Sequence, residues 1–425
     1  MASNWPIPLE APAEADLGRC VHCGLCLTSC PTYIVTGLEV ESPRGRIHMA
    51  KLVNEGRAEL NETIQRHWDL CLQCRACEAV CPSGVPYGRI QEHARVQIQA
   101  APPAGRTSRR LRRFGLRNVV ARPGVLAAAV APARWYSGSW LRRAVRFSRV
   151  LKVMPRLNAM ERSLPWRVGP PFRANELAER AGDHDVAMLT GCVMGELFGE
   201  THRATVRVLE RAGFTVTAPA DQGCCGALHA HDGDLEFARK LAIKNIEAFE
   251  KATTIVVNSA GCGAAMKEYG DLLAHDEKWA GRAAAFSARV RDFSELLAEL
   301  DERPPARGDA RVAYQDACHL AHAQRIREQP RTLLGEVAGC ELVDTPGADV
   351  CCGAAGIYSL VEPGMSAELR RMKAEQFADA RPDVIVTANP GCQLQYTAAV
   401  AEAGIKARVL HVAEFLDESQ RNAGG

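Results

Sequence analysis

Cys20-Val-His-Cys-Gly-Leu-Cys-Leu-Thr-Ser-Cys-Pro31 and Cys71-Leu-Gln-Cys-Arg-Ala-Cys-Glu-Ala-Val-Cys-Pro82 are one cysteine run, C-x2-C-x2-C-x3-C-P, used twice. Three thiolates from one tight loop can hold three corners of an iron–sulfur cube, and the fourth corner needs a thiolate from elsewhere. Structural zinc is the competing occupant. Zinc usually takes two C-x2-C pairs, and it accounts neither for the third evenly spaced cysteine nor for the trailing Cys-Pro. The spacing therefore predicts iron–sulfur ligation.

Where two such runs share a chain, the last cysteine of each ligates the other cluster. The expected ligand sets are Cys20, Cys23, Cys26 and Cys81 for one [4Fe–4S] cluster, and Cys30, Cys71, Cys74 and Cys77 for the second. The 425 residues are too many for one compact core. Composition is that of an ordinary globular protein, 47% apolar and 24% charged with a formal net charge of +2. Seventeen cysteines are the exception. The first ten residues show no basic or apolar leader pattern, so a reducing, cytoplasmic setting with thiols free for metal is expected. The longest nearly uncharged apolar stretch, 123–133, is too short to span a bilayer.

The fold expected is multidomain, α+β and α/β. A mostly helical ferredoxin-like unit with two clusters occupies 1–100, with helical apolar spacing at 47–53 and 63–70. A basic, aromatic-containing helical linker follows at 101–180, and two duplicated α/β Cys-Cys-Gly domains take 181–303 and 304–425. Within 106–173, seventeen Arg and Lys face a single acid, Glu161, interleaved with Phe114, Trp135, Tyr136, Trp140, Phe147 and Trp166. An amphipathic helix over 141–153 would carry Arg142, Arg143, Arg146 and Arg149 on one face. Such a surface suits an anionic membrane leaflet or an acidic partner. A solvated linker wrapping the ferredoxin unit is the plainer alternative. No recognition motif accompanies the charge, which argues against nucleic acid.

The duplication is explicit. Cys192, the pair Cys224-Cys225 before Gly226, and Cys262 recur as Cys318, Cys351-Cys352 before Gly353, and Cys392, at offsets of 126, 127 and 130 residues. Short apolar β runs alternate with helical stretches in both halves, which predicts parallel α/β sheets. The cysteines fall where strand gives way to helix, the crevice in which open α/β sheets bind ligands. Cys192, Cys224, Cys225 and Cys262 thus form one candidate four-thiol site; Cys318, Cys351, Cys352 and Cys392 form another. Each suits a further iron–sulfur cluster or zinc. Cys340 aligns with Phe214 and reads as core. His229, His231, His319 and His322 do not recur at equivalent places, which favours surface or supporting roles over ligation.

Taken together, these motifs resemble the iron–sulfur subunits of bacterial glycolate oxidase (glycolate dehydrogenase) along nearly the whole chain. The resemblance is carried by the two cysteine runs, by Pro43-Arg-Gly-Arg-Ile47, Cys81-Pro-Ser-Gly-Val-Pro-Tyr87, Ser259-Ala-Gly-Cys-Gly263 with Lys267-Glu-Tyr-Gly270, and His322-Ala-Gln324. The Cys-Cys-Gly repeat is less specific, since it also occurs in heterodisulfide reductase, lactate-utilisation and anaerobic glycerol-3-phosphate dehydrogenase subunits. That broader motif ends in C-x-x-C, whose last place is Ala265 in one half and Gln395 in the other, which weakens a thiol/disulfide activity. The resemblance implies an electron-transfer subunit without catalytic residues of its own. A FAD-containing dehydrogenase partner would oxidise glycolate to glyoxylate and electrons would pass on to membrane quinone, with the chain peripheral on the cytoplasmic face of the inner membrane. No G-x-G-x-x-G fingerprint opens a helix after a strand, so neither flavin nor NAD is expected on this chain.

Overall fold

The structure is a computed structural model and describes residues 3–101, 106–148, 161, 168–177 and 185–424. Among the described residues, 3–101 carry helices and turns and no strand. Cys30 is the N-cap residue of helix Pro31–Thr36, so the proline behind the first run is a helix start. Proline at that position gives up no intrahelical bond and arrives with its φ already set. Helices Pro43–Asn54 and Glu62–Asp69 cover the two stretches expected to be helical, capped by Ser42 (from Gly45 N) and Asn61 (from Ile64 N). Their inner faces, Ile47, Ala50, Val53, Ile64 and Trp68, meet Ile90, Ala94 and Ile98 of helix Tyr87–Ala100 in one apolar core. Arg46 is fully buried among them. Its guanidinium donates to Glu41 Oε2 (2.7 Å), Glu41 O (2.7 Å), His67 O (2.7 Å) and Thr32 Oγ1 (3.1 Å), tying three helices together. Removing one partner of so buried a pair costs about 3–5 kcal/mol.

The basic segment folds as helices Arg106–Gly115, Pro123–Gly138 and Trp140–Ser148. Much of its charge is used inside the protein. Arg109 donates to Asp69, Gln65 and Ile98 O; Arg112 pairs with Asp232, and both arms of Arg117 reach Asp234 at 2.6 Å. These contacts clip the ferredoxin unit to the first α/β half. A uniformly outward arginine face over 141–153 is corrected at Arg142, which is 2% exposed against Glu161, an acid that Arg146 shares. The segment's single carboxylate draws Arg142 inward, while Arg146 reaches it from an exposed position. Arg143 faces outward, and Arg149 lies outside the described residues. Trp135, Trp140 and Phe147 are exposed at 69%, 75% and 92%. No described helix is long and apolar enough to cross a membrane.

The first α/β half pairs β1 (Asp185–Met188), β2 (Thr215–Thr217), β3 (Ile255–Val257) and β4 (Val290–Asp292) in the order β2-β1-β3-β4. The second pairs β5 (Arg307–Tyr314), β6 (Ala338–Val343), β7 (Val384–Thr387) and β8 (Arg408–His411) in the order β6-β5-β7-β8. Every neighbour pairing is parallel. The chain leaves β1 toward one edge and later returns to its other side as β3, so a topological switch point opens between them; β5 and β7 repeat it. Both halves leave their last strand through a capping box, Asp292 with Glu295 and His411 with Glu414. One core unites them: Val186, Met188 and Phe293 lie in the same apolar cluster as Val312, Tyr314, Val386 and Leu416. Cys340 sits half-buried on β6, packed against this core.

His411 caps its helix by accepting from Ala413 N through Nδ1 at 3.1 Å, a role only the neutral ring can fill. Burial holds its pKa at about 4. Below pH 6.5 the unfolded chain takes up a proton that the folded one refuses, so stability falls with pH, by up to about 1.4 kcal/mol per unit from this group. His411→Asn, which keeps an N-cap acceptor, is expected to flatten the slope of unfolding free energy between pH 6.5 and 4. Denaturant titrations across that range measure it.

Candidate metal centres

The two ferredoxin runs share an unusual backbone. The residues flanking the second cysteine are left-handed in both: His22 (φ 55) and Gly24 (φ 89) around Cys23, Gln73 (φ 57) and Arg75 (φ 62) around Cys74. Non-glycine residues in that region are strained, and such strain gathers at functional sites. At Gly24 a Cβ would also stand 2.7 Å from Arg44 Nη1, whose guanidinium donates to His22 O at 3.0 Å. These turns curl each loop around a recess. Cys20, Cys23 and Cys26 line one recess together with Cys81 from the other run, and Cys77 reaches the same wall.

Cys30, Cys71, Cys74 and Cys77 lie deeper, each 7–8% exposed. Burial, with Cys74, Cys30 and Cys71 alongside, pushes the Cys77 thiol well up. Cys30 Sγ contacts Thr32 Oγ1 at 3.2 Å and Tyr87 OH donates to Cys71 Sγ at 3.8 Å. Trp68 stacks on that tyrosine, ring centroids 6.3 Å apart. Both four-cysteine groups named from the spacing are thus brought together in space, one at the surface and one inside.

The duplicated cysteines gather at the two switch points. Cys192 follows β1 as the N-cap residue of helix Val193–Leu197, and Cys262 follows β3 in the first turn of Ala260–Lys267. Cys318 and Cys392 stand in the same places after β5 and β7. Cys192 Sγ lies 3.5 Å from Cys224 Sγ, and Cys225 Sγ 3.1 Å from Cys262 Sγ. Contacts with Cys192 and Cys225 stabilise the Cys224 thiolate and pull it well below the usual thiol range. In the second half Cys352 and Cys392 meet at 3.3 Å, while contact with Cys351 and burial push Cys318 well up.

All eight of these thiols line a single chamber of about 320 Å³, roofed by Cys71, Leu72 and Gln73 of the ferredoxin unit. The donor set is soft and rich in thiol, which fits iron–sulfur groups. No three His, Cys, Asp or Glu among the described residues already surround a single-ion position. Gln395, in the fifth-cysteine place, donates to Ser366 O and Oγ, and Ser366 Oγ in turn donates to Gly353 O. It braces the turn from behind.

Sequence reasoning missed three features: the common chamber, the left-handed pairs and buried Arg46. The last two leave a local trace, since each run repeats its spacing and Arg46 lies in a quoted motif; the chamber leaves none. Of the four histidines expected in surface or supporting roles, two are buried and two half-buried. His229 and His322 are buried and His319 is half-buried, and His229 has neither ring nitrogen hydrogen-bonded.

Fold and donor sets define an iron–sulfur protein made of a helical ferredoxin-like unit and two Cys-Cys-Gly domains. Residues 16–85 match the family model described as a 4Fe-4S dicluster domain, while 186–267 and 312–397 match that of a cysteine-rich domain. Residues 107–164 match the model for the linker region of the glycolate oxidase iron-sulfur subunit. The chain is 39% identical, over 96% of its length and 95% of the relative's, to a probable glycolate oxidase iron-sulfur subunit of Bacillus subtilis. Against the glycolate oxidase iron-sulfur subunit of Escherichia coli it is 36% identical, with the same coverage. It belongs to the family of glycolate oxidase iron–sulfur subunits. A lactate utilization protein A of Geobacillus kaustophilus is 30% identical over 55% of the chain and 98% of its own length.

Gly226 and Gly353 both sit at φ +86. A Cβ on Gly353 would stand 3.1 Å from Ser366 O and Leu369 Cβ, while on Gly226 the nearest atom is 3.4 Å away. Either alanine substitution is expected to destabilise the metal-free chain by about 1–2 kcal/mol from the left-handed backbone alone. Gly353→Ala should cost measurably more than Gly226→Ala in equilibrium unfolding, because its neighbours must also move.

Proposed function

We propose that this chain takes electrons one at a time from a FAD-containing partner that oxidises glycolate to glyoxylate, and passes them to quinone at the membrane. The observation that carries this reading is the recess in which Cys81 joins Cys20, Cys23 and Cys26 across the two runs, in a chain similar along 96% of its length to glycolate oxidase iron-sulfur subunits. In this reading Cys20, Cys23, Cys26 and Cys81 hold one [4Fe–4S] cluster, and Cys30, Cys71, Cys74 and Cys77 the other. Such clusters supply one-electron transfer. The four units 1–100, 101–180, 181–303 and 304–425 carry the two clusters, the clamp and the two Cys-Cys-Gly sites.

The protein's own residues divide the work. Cys23 is exposed, between Val21 and Leu25 at 68% and 58%, so this recess faces a docking partner. Arg46, neutralised by Glu41, stands near Cys71 and Cys30 and fixes the helices around the inner site. For the Cys-Cys-Gly sites we favour iron–sulfur groups over zinc. A closed zinc site is filled by its four ligands, whereas these thiols surround a chamber of about 320 Å³. Disulfide reduction of the kind that needs a fifth thiolate is disfavoured, because Ala265 and Gln395 occupy those places. Trp135, Trp140 and Phe147 offer the exposed aromatic surface that a membrane interface would take.

Two measurements test the reading. If ligation crosses between runs, Cys20→Ser and Cys81→Ser remove the same cluster, so the double variant retains as much iron as either single one. Cys20→Ser combined with Cys30→Ser should lose about eight irons. Additive loss in the first double variant would overturn the pairing. Trp140→Ser with Phe147→Ser is expected to reduce sedimentation with anionic vesicles while leaving iron content unchanged.

A further inference from the structure

Cys74 is not enclosed by its own unit alone. With Leu72 and Ala76 it shares an apolar cluster with Cys351, Tyr358 and Leu369, and Cys318 packs against that cluster. The seam is held by Tyr358 OH donating to Leu70 O at 2.7 Å and by a 2.9 Å hydrogen bond between His319 Nε2 and Gln73 O. The first half is different. Cys225, with Cys262 against it, belongs to a cluster that contains no residue of the ferredoxin unit.

The two Cys-Cys-Gly sites also differ in charge. Lys373, 1% exposed, donates to Gln315 Oε1 (3.0 Å), Gly347 O (2.7 Å) and Ala348 O (3.3 Å), all neutral acceptors. It lies one helical turn beyond Leu369, the residue that packs on Gly353. In the first half Gly226 packs on Ala238, and one turn further stands Ala242, buried and uncharged. Burial lowers the Lys373 pKa to about 8, opposed by the nearby Cys352, Cys351 and Cys392, so the ammonium persists at neutral pH. Lys373 thus places a buried cation one turn from the Gly353 turn where the first half has Ala242, and a cation there makes an added electron more favourable at the second site.

We infer that electrons cross from the ferredoxin unit into the α/β halves at the seam of Cys74 with Cys318 and Cys351, and that Lys373 gives the second Cys-Cys-Gly site the higher reduction potential of the two. This rests on the reading that both sites hold iron–sulfur groups. Cys30, Cys71, Cys74 and Cys77 would hold the one-electron donor, and Cys318, Cys351, Cys352 and Cys392 the one-electron acceptor, so that one electron lost by the first would be gained by the second. No bond forms or breaks, and no proton moves. Lys373 is a positioning residue for charge, touching neither electron donor nor acceptor.

The test is an EPR-monitored redox titration of the full-length, anaerobically purified chain. Cys192→Ser and Cys318→Ser assign signals to the first and second sites, and the signal lost in Cys318→Ser is expected at the higher midpoint. Lys373→Gln, which keeps a hydrogen-bonding head, should lower that midpoint and leave the first-site and ferredoxin signals where they were. Lys373→Arg should restore most of the shift. Equal midpoints for the two sites, or an unmoved second-site signal in Lys373→Gln, would overturn the inference while leaving the iron–sulfur reading intact. Iron content near eight per chain, with no signal assigned by either serine variant, would instead overturn that underlying reading and the inference with it.

Discussion

Neighbouring side chains on a regular strand point to opposite faces, so a centre built on two adjacent cysteines exists only where the backbone reverses beside them. Gly226 and Gly353 supply that reversal at the same φ, +86. The space their missing Cβ atoms leave is taken by a helix, through Ala238 in one half and through Ser366 and Leu369 in the other. This close approach sets the cysteine pair at the carboxyl ends of the strands, opposite the thiols that follow the two central strands. At Gly353 a Cβ would stand 3.1 Å from Ser366 O and Leu369 Cβ, so a bulkier residue there would press on the helix. The α/β halves are organised around these two turns.

Because the halves share one core, their crevices meet, and eight thiols face a common chamber. The ferredoxin unit closes it with the loop that carries its own inner cysteines. The arginines of the basic segment hold this lid in place: Arg109 grips the ferredoxin side at Asp69, while Arg112 and Arg117 grip the first half at Asp232 and Asp234. Charge that reads as a docking face is, at these positions, an internal clamp. The outward part of the segment mixes aromatics, Phe114, Trp135, Trp140 and Phe147, with Arg110, Arg122, Arg143 and Arg146.

The thiols are arranged in order of depth. Cys23 is exposed, while Cys30, Cys71, Cys74 and Cys77 are buried, and Cys74 lies against the second Cys-Cys-Gly site. Burial raises the Cys74 and Cys77 thiols, so these two are neutral without metal and must release protons to bind it. The polar groups among them, Arg46 near Cys71 and Lys373 near Cys352, are cations with neutral or carboxylate partners supplied by the fold itself. Burying a cation is expensive unless it is hydrogen-bonded, and both are.

The sequence by itself determined the iron–sulfur class and the domain architecture. Cysteine spacing identified the two runs, the 126- to 130-residue offsets exposed the duplication, and apolar periodicity found helices 43–54 and 62–69. These are local or repetitive signals, written in residues near one another. Only the tertiary structure decided that the two Cys-Cys-Gly sites share a chamber, that Arg142 turns inward to Glu161, and that Cys74 packs in one cluster with Cys351 of the second half. Each of these depends on residues up to several hundred positions apart meeting through packing and ion pairing. A single sequence carries no periodicity or spacing that encodes such a meeting.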